Sequence, residues 1–326
     1  MTTGMRKLGK TGPEVFPIAL GCMGMSGMYG PADEQESIAT IHAALDAGIN
    51  LLDTGDFYGM GHNEMLIGRA IQGRRDKVLL SVKYGGLRGP DGTWNGYDTR
   101  PVATRNFLAY TLTRLGVDHI DIYRPARLDP GLPIEETVGG IVKMIDAGYV
   151  RHLGLSEMSA ETVRRAYAVH PVTDLQIEYA VITRSAEEKI FPTLRELGVA
   201  VTAYGVLSRG LLSGSRPTGK GDIRGYFPRF AEGNAAQNQS VIGTLNKLAV
   251  EKNISAAQLA IAWVLNKDKN VVPVIGARTR KQLAESLKAL DVQLSAEEMD
   301  RIEKSVPAAA GARYDERQMK VLDSER

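Results

Sequence analysis

Cysteine is almost missing from this 326-residue chain: Cys22 stands alone, so no internal disulfide can form. A chain without such staples fits a reducing, cytoplasmic compartment. Long apolar runs are missing too. None approaches the ~18 residues that a membrane-spanning helix needs, and the segment from Met1 to Gly12 holds no apolar core of signal-peptide length. Neither sign of charge is in excess. Forty basic and 38 acidic side chains leave a formal +2, which gives no strongly cationic face for nucleic acid and no acidic tail. Histidines are few, and His42, His62 and His170 show no metal-ligand spacing, so no metal site is expected.

What is present is an alternation of short apolar runs and helical patterns. Candidate strands are Ile18–Leu20, Asn50–Asp53, Val78–Val82, Ile120–Tyr123, His152–Leu155, Leu175–Glu178, Ala200–Ala203 and Val272–Ile275. Between them lie amphipathic segments such as Glu34–Ala47, Thr104–Leu115, Glu135–Asp146, Glu161–Val169 and Glu187–Leu197. Strands that are apolar on both faces and rich in Val, Ile and Leu belong in a parallel sheet covered by helices. Gly48, Gly116, Gly148 and Gly198 stand between a helix and the next strand, where glycine supplies a left-handed stop. A repeat of about 25–35 residues is what a strand–helix–strand unit needs.

Eight such strands predict an α/β fold, a closed (β/α)8 barrel. The rival is a doubly wound sheet, which should carry Gly-x-Gly-x-x-Gly after its first strand. The nearest text, Gly21 to Gly27, has the wrong spacing. A turn at Lys10–Gly12 between Arg6–Leu8 and Val15–Pro17 predicts an N-terminal hairpin able to plug the barrel mouth. The expected organisation is a single domain, with hairpin 5–17, barrel 18–305 and tail 306–326. Tyr84–Arg100 and Leu207–Gln239 break the rhythm after strands, at the face where barrel active sites form. The tail after Val306 is a third irregular region.

Asp53 and Tyr58 follow strand two, and Lys83 ends strand three, so all three emerge at one end of adjacent strands. A phenol near pKa 10 is a poor acid at neutral pH. A neighbouring ammonium lowers that pKa, and a buried ammonium needs a carboxylate. Tyr58 is then a tuned general acid for a carbonyl oxygen. The plainer reading makes Asp53 a cap, Lys83 half of an ion pair and Tyr58 a loop aromatic.

These residues, the GLS at Gly154–Ser156 followed by Gln176, and the final VIGARTRKQLAESL segment resemble the aldo-keto reductases over about residues 5–305. The style is that of the branch holding bacterial general-stress reductases, plant auxin-induced-type reductases and potassium-channel beta subunits. The resemblance implies NADPH-dependent reduction of aldehydes or ketones, with Tyr58 as proton donor and Lys83 and Asp53 tuning it. It also implies a cofactor cleft formed by Gly21, Met23, Asp53, Ser156, Gln176 and Tyr204. The segment Gly205, Leu207, Ser208, Arg209, Gly210 and Leu212 would run along the pyrophosphate. Gly276, Arg278, Gln282, Glu285 and Ser286 would hold the 2′-phosphate and adenine, since an arginine beside a helix N-terminus is an anion site. Arg280 and Lys281 belong to the same basic cluster, which a solvated surface would also explain. Met25, Tyr84, Ala126, Arg127, Tyr226 and Phe227 would line the substrate pocket. Met28 and Met60 are expected in or near it, and Cys22 beside the nicotinamide.

Three positions depart from the family pattern. Ala126 stands where a histidine usually precedes the arginine, Glu157 where an asparagine follows the serine, and Ser286 where another asparagine is usual. Arg127 and Asp129 read as a structural ion pair. Two other functions stay open: a cofactor-binding sensor or subunit with little turnover, marked by Ala126, and Schiff-base chemistry at Lys83. The partner expected in every case is a small molecule, not nucleic acid or a membrane, and the chain is open to homo-oligomer formation.

Overall fold

The structure, a computed structural model, describes residues 4–219 and 221–326. The chain begins with the expected hairpin: β1 (Arg6–Lys7) and β2 (Glu14–Val15) pair antiparallel, Arg6 opposite Val15. Next come β3 (Ala19–Gly21), β4 (Leu51–Gly55) and β5 (Leu79–Tyr84), then a second small hairpin of β6 (Gly86–Arg88) and β7 (Trp94–Tyr97). They are followed by β8 (Ile120–Pro125), β9 (Val150–Ser156), β10 (Val172–Glu178), β11 (Ala200–Tyr204) and β12 (Val271–Gly276). Strands β3, β4, β5 and β8 to β12 run parallel and close in that order, β12 returning to β3. This is the (β/α)8 barrel that the alternation predicts.

Six helices alternate with the barrel strands: α1 (Glu34–Asp46), α2 (His62–Ala70), α3 (Pro101–Leu115), α4 (Ile134–Asp146), α5 (Ala160–Val169) and α6 (Ala186–Leu197). Two, α7 (Glu232–Glu251) and α8 (Ala256–Lys267), follow β11, and α9 (Arg280–Leu287) follows β12. The chain ends with α10 (Ala296–Ser305) and α11 (Glu316–Val321). Gly116 and Gly198 close α3 and α6 at φ 66° and 72°, the left-handed stop that only glycine adopts freely. The irregular stretch expected up to Gln239 ends sooner, because α7 begins at Glu232. Its mixed polar face hides the periodicity from sequence. Several strands are longer than expected, β9 from Val150 and β10 from Val172, because ladder bonds to neighbours extend them past their apolar centres.

The barrel interior is layered. At the bottom, Leu8 and Val15 of the hairpin meet Ala19, Leu51, Ile122, Ala200, Val272 and Val274 in one apolar cluster. Lys10 N donates to Gly198 O (2.8 Å), seating the hairpin as a plug. Above it lies a charged layer: Arg124 Nη1 stands 2.8 Å from Asp174 Oδ2 with both side chains fully buried. Thr202 and Ser81 complete it, at 3.3 Å and 3.0 Å from the guanidinium. Gly154 makes room for this layer, since a Cβ there would lie 2.9 Å from Asp174 Oδ1 and 3.0 Å from Arg124 Cζ. The third layer, at the C-terminal mouth, is the candidate site.

Among the described residues no single helix is long and apolar enough to cross a membrane, and no three His, Cys, Asp or Glu side chains are grouped to hold a metal ion.

Candidate active site

The pairing of β4 with β5 sets Asp53 against Ser81 and Gly55 against Lys83. Strand alternation then turns Asp53, Ser81 and Lys83 to the barrel axis. Lys83 Nζ stands 2.6 Å from Asp53 Oδ1, with the side chains 6% and 7% exposed. Asp53 Oδ2 accepts from Gln176 Nε2 (2.7 Å) and Ser81 Oγ (3.0 Å). Because Ser81 Oγ accepts from Arg124, the charged middle layer and the Asp53–Lys83 pair form one network. Buried polar groups are stable only when satisfied in this way.

Tyr58 enters on the turn after β4. Gly59 (φ 56°) and Met60 (φ 55°) follow it in left-handed backbone, strain of the kind that collects at functional sites. Phe57 packs edge-on against its ring at 5.0 Å, and Lys83 Nζ lies over that ring, 5.2 Å from the centroid. Tyr58 is buried, and its hydroxyl makes no side-chain hydrogen bond to another described residue. Burial pushes its pKa well above the usual phenol value, the Asp53 charge adds to this, and Arg127 pulls the other way. Burial also lowers the Lys83 ammonium against the pull of Asp53. The lowering expected for Tyr58 is thus reversed, because desolvation outweighs the nearby cations.

A buried lysine–carboxylate pair beneath an unpartnered tyrosine, at the C-terminal mouth of a (β/α)8 barrel, agrees with what the sequence matches. The pattern of the aldo/keto reductase family matches residues 17–307. The chain belongs to this family. It is 40% identical over 319 residues to probable aldo-keto reductase 1 of Glycine max, covering 94% of this chain and 91% of that one. Among solved structures, the glycerol dehydrogenase of Gluconobacter oxydans superposes with a TM-score of 0.82 at 27% identity, covering 99% of this chain and 98% of the other. A Bacillus halodurans aldo-keto reductase in its holo form gives 0.78 at 27% identity, covering 96% and 99%. This aldo-keto reductase is therefore an oxidoreductase of a family that works with nicotinamide cofactors.

The ends of β9, β10 and β11 gather Ser156, Gln176 and Tyr204 as expected, but around a partner that sequence reasoning missed. Glu157, at φ 53°, is fully buried. Arg313 of the tail reaches it with both terminal nitrogens, at 2.9 Å and 2.8 Å. Ser324 Oγ (2.6 Å) and Tyr204 Oη (2.7 Å) also donate to this carboxylate. Desolvation works against its charge, but Arg313 outweighs it and holds Glu157 far below the usual carboxylate range. Next to Arg313, Tyr314 Oη lies 2.8 Å from Tyr204 Oη and accepts from Arg127 Nη2 at 3.1 Å. Glu157 itself was the signal: a carboxylate where an amide is usual needs a cation if buried.

In the loop after β11, Ser208, Arg209 and Gly210 carry φ of 47°, 56° and 92°. Arg209 does not stand free. It is 3.2 Å from Glu178 Oε2, donates to Arg313 O, and lies over the rings of Phe227 (4.4 Å) and Tyr314 (4.7 Å). Leu207 and Leu212 pack with the core, and Gly205 (φ 69°) begins the loop above Glu178. Gly21 and Gly276 lie side by side across β3 and β12, and a Cβ on Gly276 would meet only Gly21 O, at 3.9 Å. A Cβ on Gly21 would lie 3.2 Å from Val274 Cγ1, so the open space is on the Gly276 side.

The basic cluster after β12 is split. Arg278 donates to the carbonyls of Tyr29 (3.1 Å) and Pro31 (3.2 Å) and has no carboxylate at ion-pair distance among the described residues. Arg280 is instead held by Glu36 of α1 at 2.8 Å. Gln282 Oε1 accepts from the Arg278 amide, and Glu285 Oε1 accepts from Ser255 and Gln258. Ser286 is buried.

Three pocket expectations are corrected. Tyr84 points away from the site: Lys83 faces the axis, so alternation sends Tyr84 outward, where it stacks on Tyr123 at 4.3 Å and bonds Thr104 of α3. Tyr226 is 79% exposed and forms no wall, whereas its neighbour Phe227 packs against Tyr314. Arg127 does not pair with Asp129, whose oxygens take the amides of Thr99 and Gly131. Met25 and Ala126 are buried, Met23 is half-buried, and Cys22 is buried with its amide on Asp53 O. Met60 is 54% exposed.

Proposed function

We propose that this aldo-keto reductase reduces aldehydes or ketones to alcohols with NADPH, and that Tyr58 is the proton donor. The observation that carries the reading is the buried Lys83–Asp53 pair with its ammonium over the ring of Tyr58, whose hydroxyl makes no hydrogen bond to another described residue. The cleft residues fit the cofactor. Gly276 leaves open space at the floor, Arg278 offers a cation without a carboxylate among the described residues near the start of α9, and Ser156 and Gln176 present polar groups at the far end. When bound, NADPH supplies the hydride to the carbonyl carbon.

Tyr58 holds its proton through neutral pH, because burial keeps the phenol protonated. As negative charge develops on the carbonyl oxygen, Oη delivers that proton. Lys83 stabilises the phenolate left behind. Asp53 keeps Lys83 in place, and Ser81 and Gln176 hold Asp53. The close ion pair also disfavours a Schiff base at Lys83, whose amine is committed to Asp53.

The test is a panel of aldehydes, ketones and alcohols followed by NADPH absorbance, with wild type and Tyr58→Phe. The variant keeps the ring and loses the acid, so reduction falls by about 10² or more while NADPH binding, followed by fluorescence, stays unchanged. Near-normal turnover by the variant removes Tyr58 from the role. Tight NADPH binding by a wild type that turns over no carbonyl favours the sensor, in line with the missing side chain at Ala126.

A further inference from the structure

The cleft is crowded with arginines, and all but one of those in contact with its charged network have a carboxylate. Arg209 and Arg229 share Glu178, at 3.2 Å and 2.7 Å, Arg313 has Glu157 at 2.8 Å, and Arg124 has Asp174 at 2.8 Å. Arg127 has none at ion-pair distance among the described residues. Its neighbour in sequence, Asp129, is spent on two backbone amides.

A guanidinium carries five N–H donors. Three are committed: two from Nη1, to Ala126 O (2.6 Å) and Ser156 Oγ (3.4 Å), and one from Nη2, to Tyr314 Oη (3.1 Å). Every one of these acceptors is neutral. The proton order shows that Tyr314 cannot change this. Glu157 is ionised, so Tyr204 donates to it, and Tyr314 must then donate to Tyr204 while accepting from Arg127. The chain Arg127 to Tyr314 to Tyr204 to Glu157 fixes the guanidinium in place without bringing it a counter-charge. Arg127 is half-buried, so its two remaining N–H groups are not sealed from the cleft. Next to it the short side chain of Ala126 leaves the end of β8 without bulk.

We propose that Arg127, oriented by Tyr314, binds a carboxylate of the substrate, so that this enzyme selects carbonyl compounds that carry an acid group. The inference rests on the carbonyl-reductase reading above and names the class of substrate for that site. A planar guanidinium with two free donors matches a carboxylate, and a charge-assisted pair in a partly desolvated cleft is worth more than a neutral one. The buried Arg313–Glu157 pair serves as the anchor of the tail that carries Tyr314.

The experiment compares meta- and para-carboxybenzaldehyde with their methyl esters, which keep a similar electronic demand on the aldehyde and remove the charge. Wild type reduces at least one acid with a kcat/KM about tenfold or more above that of its ester, the advantage residing in KM. Arg127→Met loses this preference while still reducing the esters, Arg127→Lys keeps part of it, and Tyr314→Phe weakens it. A second readout needs no turnover: benzoate raises the thermal unfolding midpoint of wild type more than benzamide does, and Arg127→Met abolishes the difference. A merely structural role for Arg127 lowers acids and esters alike, which overturns the proposal. An acid preference that survives Arg127→Met also overturns it. So does a loss of NADPH affinity in that variant with the preference intact, which would make the cofactor the partner of Arg127. If esters and acids are reduced equally by wild type, the selection fails and carbonyl reduction stands. If neither is reduced and no other carbonyl is, the underlying reading fails.

Discussion

Lys83 and Tyr58 meet face-on: the ammonium lies over the phenol ring, 5.2 Å from its centroid, while its short contact goes to Asp53. The cation is thus set between a carboxylate and a ring, and the phenol remains a protonated donor. Cation–π contact in a desolvated site is worth about 2 kcal/mol, but the burial of Tyr58 outweighs it in setting acidity.

This arrangement predicts the pH profile of reduction. The reaction needs the protonated phenol, so activity is present below the Tyr58 pKa and lost as pH rises through it. Burial and the Asp53 charge both raise that pKa, so kcat/KM for reduction stays level through mildly alkaline pH. Asp53→Asn removes the charge that favours the protonated form and frees that of Lys83. Both effects lower the phenol pKa, so the alkaline limb moves to lower pH as total activity falls. Stopped assays across pH with both proteins check this, and a limb that moves upward contradicts it.

Cofactor choice separates two arginines that look equivalent in sequence. Arg278 has no carboxylate among the described residues, so Arg278→Ala weakens NADPH binding by about 1–3 kcal/mol and leaves NADH nearly unaffected. Arg280 is neutralised by Glu36 on the surface, so Arg280→Ala changes either cofactor by less than about 0.5 kcal/mol. Fluorescence titration of the four combinations decides it. Equal losses for both cofactors in Arg278→Ala would show that this residue does not read the 2′-phosphate.

Two glycines predict opposite signs of stability. Gly154→Ala drives a methyl into Asp174 and Arg124 in a layer that cannot yield, costing roughly 1–3 kcal/mol. Gly139, inside α4, has no atom within 4 Å of an added Cβ, so Gly139→Ala stabilises by about 0.5–1 kcal/mol. Denaturant unfolding measures both, and a neutral Gly154→Ala would mean that the charged layer is looser than its geometry implies.

Much of the fold was legible because it follows from local chemistry. Runs of Val, Ile and Leu alternating with amphipathic segments require a covered parallel sheet, and Gly48, Gly116, Gly148 and Gly198 mark the ends of four helices. The same alternation places Asp53 and Lys83 on one face, which is why the pair and its end of the barrel could be read from residue order. It would also have turned Tyr84 outward had it been applied one residue further. Tertiary structure alone decided the rest. No local pattern says that Arg313 and Tyr314, more than 150 positions from Glu157, close over the strand ends. Nor does any pattern distinguish Arg278 from Arg280, or send Asp129 to backbone amides and leave Arg127 without a carboxylate. Periodicity is a property of neighbours along the chain. Charge pairing in a buried site is settled by whichever opposite charge the closed barrel brings within reach, and that depends on the whole fold at once.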